Sequence, residues 1–178
     1  ILVEGERVVG VALEGGEVLR AARVVASVAP KTTLLSLVGA RHLDAGLLTR
    51  ARHQKARGGA AKLHLVLKGL PEFRGADPKD RLVIAGSDRD VELAFNPVKY
   101  GHVPERPALE IVIPTAHEPA ADGLHRLSIV AQFAPHAPTD RAGARKTMLA
   151  ACLSQLEAHA PGIGALVESA EILMPYDI

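Results

Sequence analysis

The chain has 178 residues, 48% hydrophobic, 23% charged and 3% aromatic, with a formal net charge of +1. That length suits one domain or one domain plus part of another, and the near-neutral charge, with no face that reads as basic, argues against a nucleic-acid partner. The single cysteine, Cys152, excludes an internal disulfide and suits a reducing compartment such as the cytoplasm, while no apolar run nears the ~20 residues of a bilayer span; contact with a membrane surface stays open, with nothing in the pattern that supports it.

The opening "ILVEGERVV" is broken by charge at once and is no signal peptide. Arg7 to Leu13 alternates, Gly15-Gly16 supplies the positive φ of a tight hairpin, and Val18 to Arg20 returns. The short apolar run Arg23 to Ser27 reads as a third strand. Pro30 suits the first turn of a helix through "PKTTLLSLVG", with Gly39 as its C-terminal cap. A second helix runs through "DAGLLTRARHQ", where Leu47, Leu48 and Ala51 share a face.

Ala60 to Lys68 is the most regular strand. Alternation sorts Ala61, Leu63, Leu65 and Leu67 onto one face and Lys62, His64, Val66 and Lys68 onto the other. "RLVIAG" reads as a short buried strand. Ser87 and Asp90 have the spacing of a capping box for a helix over "SDRDVELAF" that Pro97 ends. "ALEIVIPT" and "HRLSIVAQFAP" are strands. In the second, Leu127, Ile129, Ala131 and Phe133 alternate with Arg126, Ser128, Val130 and Gln132. Thr139 or Asp140 caps a helix whose Leu149, Cys152, Leu153 and Leu156 recur at helical spacing, and Pro161-Gly162 stops it. A strand from Val167 to Met174 follows. The expected class is α+β: a mixed, largely antiparallel sheet with helices on one face, preceded by a β-hairpin.

Three of these strands pair a clean apolar face with a mixed one. The mixed face would carry Lys62, His64, Glu110, Val112, Ser128, Val130 and Gln132. It is too apolar for pure solvent and too polar for core, so it suits a cavity wall or a packing surface. No dinucleotide fingerprint, phosphate loop, zinc motif or nucleophile elbow is present. The eight histidines are scattered, and His117 and His136 at strand ends have no ligand spacing. Cys152 lies on an apolar helix stripe and reads as a core thiol. The chain begins without Met and stops after a strand-like run, so it reads as an excised piece of a longer protein.

Three stretches add a resemblance. "RVVGVALEGGEVLRAARVVASVAPKTTLLSLVG", "RGGAAKLHLVLKGLPEF" and "DVELAFNPVKYGHVPERPALEIVIPT" with "SIVAQFAPH" resemble the phytoene-dehydrogenase-like branch of the FAD-dependent amine oxidase and carotenoid desaturase superfamily. The resemblance implies that residues 1–30 are a remnant of an FAD-binding lobe and 31–178 a substrate-binding lobe. It implies FAD in the parent protein, not retained by this fragment, with the rest of the parent chain as partner. Hydride would pass from a small, apolar substrate to the flavin, and the fragment itself would be inactive. By the same resemblance Lys62 would approach the flavin N5 through a water, and His64, Glu110, Val112, Ser128 and Gln132 would face substrate. Ser27 would lie at the lobe crossing near the cofactor. Where the family often has Asn-Ala-Asp-Pro, this chain has Ser27-Val28-Ala29-Pro30, so an acidic cap on the next helix is missing. The alternative reading is a non-catalytic binding or interaction domain that docks through the mixed sheet face.

Overall fold

The structure, a computed structural model, describes residues 1–55 and 58–178. The chain divides into two compact units, Ile1–Ala56 and Arg57–Ile178.

The first unit opens with a three-stranded antiparallel sheet in the order β1 (Leu2–Glu4), β2 (Arg7–Ala12), β3 (Val18–Arg20). The hairpin falls where alternation and Gly15-Gly16 put it. Gly10 in β2 has φ 148°, and a Cβ there would stand 2.1 Å from the Leu19 carbonyl oxygen, so only glycine fits that close approach. The expected strand over Arg23 to Ser27 does not form. A strand persists only where its N–H and C=O groups find a ladder. Leu2–Glu4 takes the free side of β2, and Val25 is left 98% exposed. A helical segment follows. It opens as one α turn, α1 (Pro30–Thr32), widens to π geometry over Thr33–Gly39 and closes as a 3-10 turn at Ala40–His42. No side chain caps its start at Ala29, as the missing acid at that position implies. Helix α2 (Ala45–His53) is capped by Asp44, whose carboxylate accepts the Leu47 N–H at 2.9 Å.

The second unit is a five-stranded sheet in the order β5 (Leu82–Ile84), β6 (Ala108–Val112), β7 (His125–Gln132), β4 (Ala60–Leu67), β8 (Val167–Leu173). Every pairing is antiparallel. The class is therefore α+β, as expected. Helix α3 (Asp88–Val98) starts at the Ser87–Asp90 capping box; Pro97 sits inside its last turn, and the helix ends one residue beyond it. Helix α4 (Arg141–His159) is capped by Asp140. A short helix, α5 (Ile163–Leu166), precedes β8. At four residues it is too short for any period to announce it.

Leu63 and Leu65 of β4, Ile111 of β6 and Ile129 of β7 are at most 1% exposed. They share one core with Met148, Cys152 and Leu156 of α4. Each such burial is worth about 1.5–3 kcal/mol, which is why α4 lies against this face of the sheet. Two polar ties hold its ends. Glu157 accepts the N–H of Gly162 at 2.6 Å and of Gly164 at 3.1 Å, fixing the turn that stops the helix. Arg145 donates to the Ile172 carbonyl at 2.6 Å and to Asp177 at 2.8 Å, tying the β8 end to α4.

Two outcomes follow. Burial pushes the Cys152 thiol up to about 12, so Ellman's reagent should leave the native protein untouched near neutral pH and titrate one thiol in urea; a fast native reaction would contradict the packing. The Gly162 and Gly164 N–H groups hold the Glu157 carboxyl below its ordinary range. Its contribution to stability is therefore complete above the unfolded pKa and is lost as pH falls through the folded one. In urea titrations from about pH 6 down to pH 3, Glu157→Gln should show a shallower acid loss than the parent chain.

Candidate functional site

The four pairings of the second sheet fix which mixed-face residues are neighbours, because directly paired residues point to the same side. One row reads Val83, Glu110, Val130, Lys62 and Leu173 across β5, β6, β7, β4 and β8. The next reads Val112, Ser128, His64 and Glu171. On the other side of the Lys62 row stand Ala108, Gln132 and Ala60. All six sheet residues singled out from the sequence, Lys62, His64, Glu110, Val112, Ser128 and Gln132, thus lie on one face in three successive rows. Lys62 and Glu110 are two strands apart, roughly 10 Å between backbones.

The face is half-buried in the middle and open at the margins. Lys62, Glu110, Val112, Ser128 and Val130 are half-buried, while His64 and Gln132 are exposed. Lys62 stands between Val130 and Leu173, which can cover its methylene stem while the ammonium reaches outward. Among the described residues no carboxylate forms an ion pair with it. Of the carboxylates on this face, Glu110 in the Lys62 row is paired, whereas Glu171, diagonal to Lys62 on β8, is in no ion pair among the described residues. Glu110 pairs with Arg81, Glu168 with Lys68 at 2.9 Å, and Asp122 with Arg126. Hydrogen bonding to Glu168 raises the Lys68 pKa, and hydrogen bonding to Arg126 lowers that of Asp122.

Arg81, Glu171 and Leu173 belong to this face and were not picked out from the sequence. Alternation alone puts Arg81 on the side of Val83, but its meeting with Glu110 depends on the β5–β6 register, which no local pattern encodes. Ser27 lies in the first unit, exposed, in an irregular stretch between β3 and α1. His117 is tied to the Lys79 carbonyl at 2.8 Å, and the Nδ1 of His136 is buried without a hydrogen-bond partner among the described residues. Among those residues no group of three His, Cys, Asp or Glu is arranged to hold a metal. A cleft of about 220 Å³ lies among α3, α4 and the β5–β6 edge, lined by Ile84, Val91, Arg106, Gln155 and His159. Asp90 of the α3 capping box also lines it, but none of the seven candidate site residues, Lys62, His64, Glu110, Val112, Ser128, Gln132 and Ser27, does.

The two faces of β4 should separate in a mutational test. Leu63→Ala should cost about 2–5 kcal/mol in urea unfolding. Lys62→Met, one residue away, should change stability by less than about 0.5 kcal/mol; a large loss there would make the lysine a structural group.

No family model matches the chain. It is 29% identical, over 97% of its length, to the rat protein named pyridine nucleotide-disulfide oxidoreductase domain-containing protein 2. It is 26% identical, again over 97%, to the mouse protein of that name. The chain spans 32% of the length of each of these relatives. Among the described residues no helix is long and apolar enough to cross a membrane. The chain is thus a distant homologue of proteins named for an oxidoreductase domain, aligned along nearly all of its own length.

Proposed function

We propose that this chain is the substrate-side portion of an FAD-dependent oxidoreductase of the phytoene-dehydrogenase-like or amine-oxidase type. Residues 1–30 would belong to the FAD-binding lobe and 31–178 to the substrate-binding lobe. The observation that carries the reading is Lys62: a half-buried cation in the middle of a sheet face, flanked by Val130 and Leu173, in no ion pair among the described residues and with Glu110 of its own row paired to Arg81. The similarity to oxidoreductase-named relatives along the whole chain supports it.

The residues present fit a flavin. An isoalloxazine ring needs an apolar floor, here Val130 and Leu173, and a donor near its polar edge, here the Lys62 ammonium between them. When bound, FAD supplies the hydride-accepting chemistry. The chain's own part is to hold an ordered water with Lys62 and to place a fixed positive charge where negative charge develops. His64, Ser128 and Gln132 would orient a small, apolar substrate, Val112 would pack against it, and Glu110 would act with Arg81 at the rim. Ser27 would approach the cofactor at the lobe crossing.

The test is an absorption spectrum of the full-length protein beside this 178-residue chain. A flavin spectrum is expected in the first and none in the second. In the full-length protein Lys62→Met should keep the flavin and slow its reoxidation by oxygen about tenfold or more. A colourless, folded full-length protein would sink the enzyme reading and leave the mixed face as a docking surface.

A further inference from the structure

We infer that the cleft among α3, α4 and the β5–β6 edge binds a small monocarboxylate that also carries a neutral hydrogen-bonding group, such as a hydroxy acid. The cleft holds about 220 Å³, and all its walls belong to the second unit. Ile84 lines it and is buried, whereas Val83 beside it is exposed on the mixed face. The cleft therefore lies on the helix-covered side of the sheet, away from Lys62 and its row. This inference does not depend on the oxidoreductase reading, since none of its residues belongs to the mixed sheet face.

Packing alone does not call for the polar groups found here. Met148, Cys152 and Leu156 form the buried stripe of α4, and Gln155 and His159, one turn apart, line the cleft beside it. Gln155 is half-buried and donates to the Pro107 carbonyl at 3.4 Å, a long bond that ties α4 to the segment before β6. That bond takes one amide N–H; among the described residues the amide oxygen makes none. The His159 Nδ1 lies 3.0 Å from the Gln155 carbonyl. A carbonyl only accepts, so Nδ1 carries the hydrogen and Nε2 is the nitrogen left to a ligand. Arg106 is exposed and in no ion pair among the described residues. Complementing the α4 macrodipole accounts for His159, which lies in its last turn, but not for Arg106 or Gln155.

The charge balance selects the ligand. Asp90, the one carboxylate in the lining, is engaged in the capping box: one of its oxygens accepts both the N–H and the hydroxyl of Ser87 at 2.8 Å. Those bonds hold its carboxyl below the ordinary range, with a smaller contribution from the charge of Arg106, whose guanidinium thus stands near the α3 wall. A planar guanidinium takes a carboxylate in two parallel hydrogen bonds. The Gln155 amide and the His159 Nε2 offer a donor and an acceptor to a hydroxyl or keto group. Ile84, Val91 and Pro107 give the carbon skeleton an apolar wall. One arginine beside one fixed carboxylate leaves no compensation for a second negative charge, which disfavours dicarboxylates and phosphates.

The experiment is a saturation-transfer NMR titration of the full-length protein with 3-hydroxybutyrate, beside its uncharged amide, succinate and inorganic phosphate. Saturable millimolar binding of 3-hydroxybutyrate is expected, with none of the amide and weaker binding of the two dianions. Arg106→Gln should weaken binding about tenfold or more. Arg106→Lys, which keeps the charge and loses the fork, should restore only part of it. Gln155→Leu should weaken it severalfold. Arg89→Gln, the same charge change on α3 but outside the lining, should leave binding nearly unchanged, and circular dichroism checks that each variant remains folded. No binding, equal binding of the amide, succinate or phosphate binding as tightly, or Arg106→Gln and Arg89→Gln behaving alike would overturn the inference. So would loss of binding in Lys62→Met, which would move the probe to the mixed sheet face.

Discussion

The burial of one face of β4 is the constraint on which the second unit depends. Leu63, Leu65 and Leu67 are sealed under α4 together with Ile129 of β7 and Ile111 of β6. Slipping any of these strands by one residue would turn its leucines and isoleucines to solvent and its charges into the core, so the register is held tightly. The opposite face inherits that register without contributing much to it. Lys62 meets Val130, and His64 meets Ser128, because Leu63 must meet Ile129.

The polar face is organised by where its charges are neutralised. Arg81–Glu110, Lys68–Glu168 and Arg126–Asp122 are all substantially exposed pairs, and pairs of that kind add little stability. Their effect is local: each engages a carboxylate that would otherwise be available to a neighbouring cation. Lys62 stands in the row of Glu110 with valine and leucine on either side, and Glu171 lies diagonally across on β8. The proposed flavin contact rests on that placement of Lys62 between two aliphatic neighbours.

The first unit obeys a different rule. Its three-stranded sheet leaves Val18 and Leu19 exposed, and Ala51 is its one buried aliphatic residue among those described. Its distinguishing feature is a segregation of charge that a whole-chain sum cannot reveal. Near-neutrality spoke against a basic surface, whereas the 33 residues from Arg23 to Lys55 are strongly basic by themselves. Electrostatic recognition acts over about a Debye length, so the local density of charge matters and the total does not.

Much of the fold was legible because it is written in local periods. Alternation placed β4 and β7 and separated Lys62 from Leu63. The Ser87–Asp90 spacing announced a capping box, and helical spacing placed Cys152 and Leu156 in the core. Pairing partners were not legible. Arg23–Ser27 looks like a strand, yet Leu2–Glu4 holds the open side of β2, and only the folded chain decides which segment wins a ladder. Which residues share the polar face follows from local alternation, since side-chain direction in a strand has a period of two. The tertiary structure alone decided which of them stand side by side: that Glu110 is occupied by Arg81, that Glu171 faces His64, and that Lys62 is left between two aliphatics. Those facts depend on register between strands far apart in the chain, set by packing on the far side of the sheet.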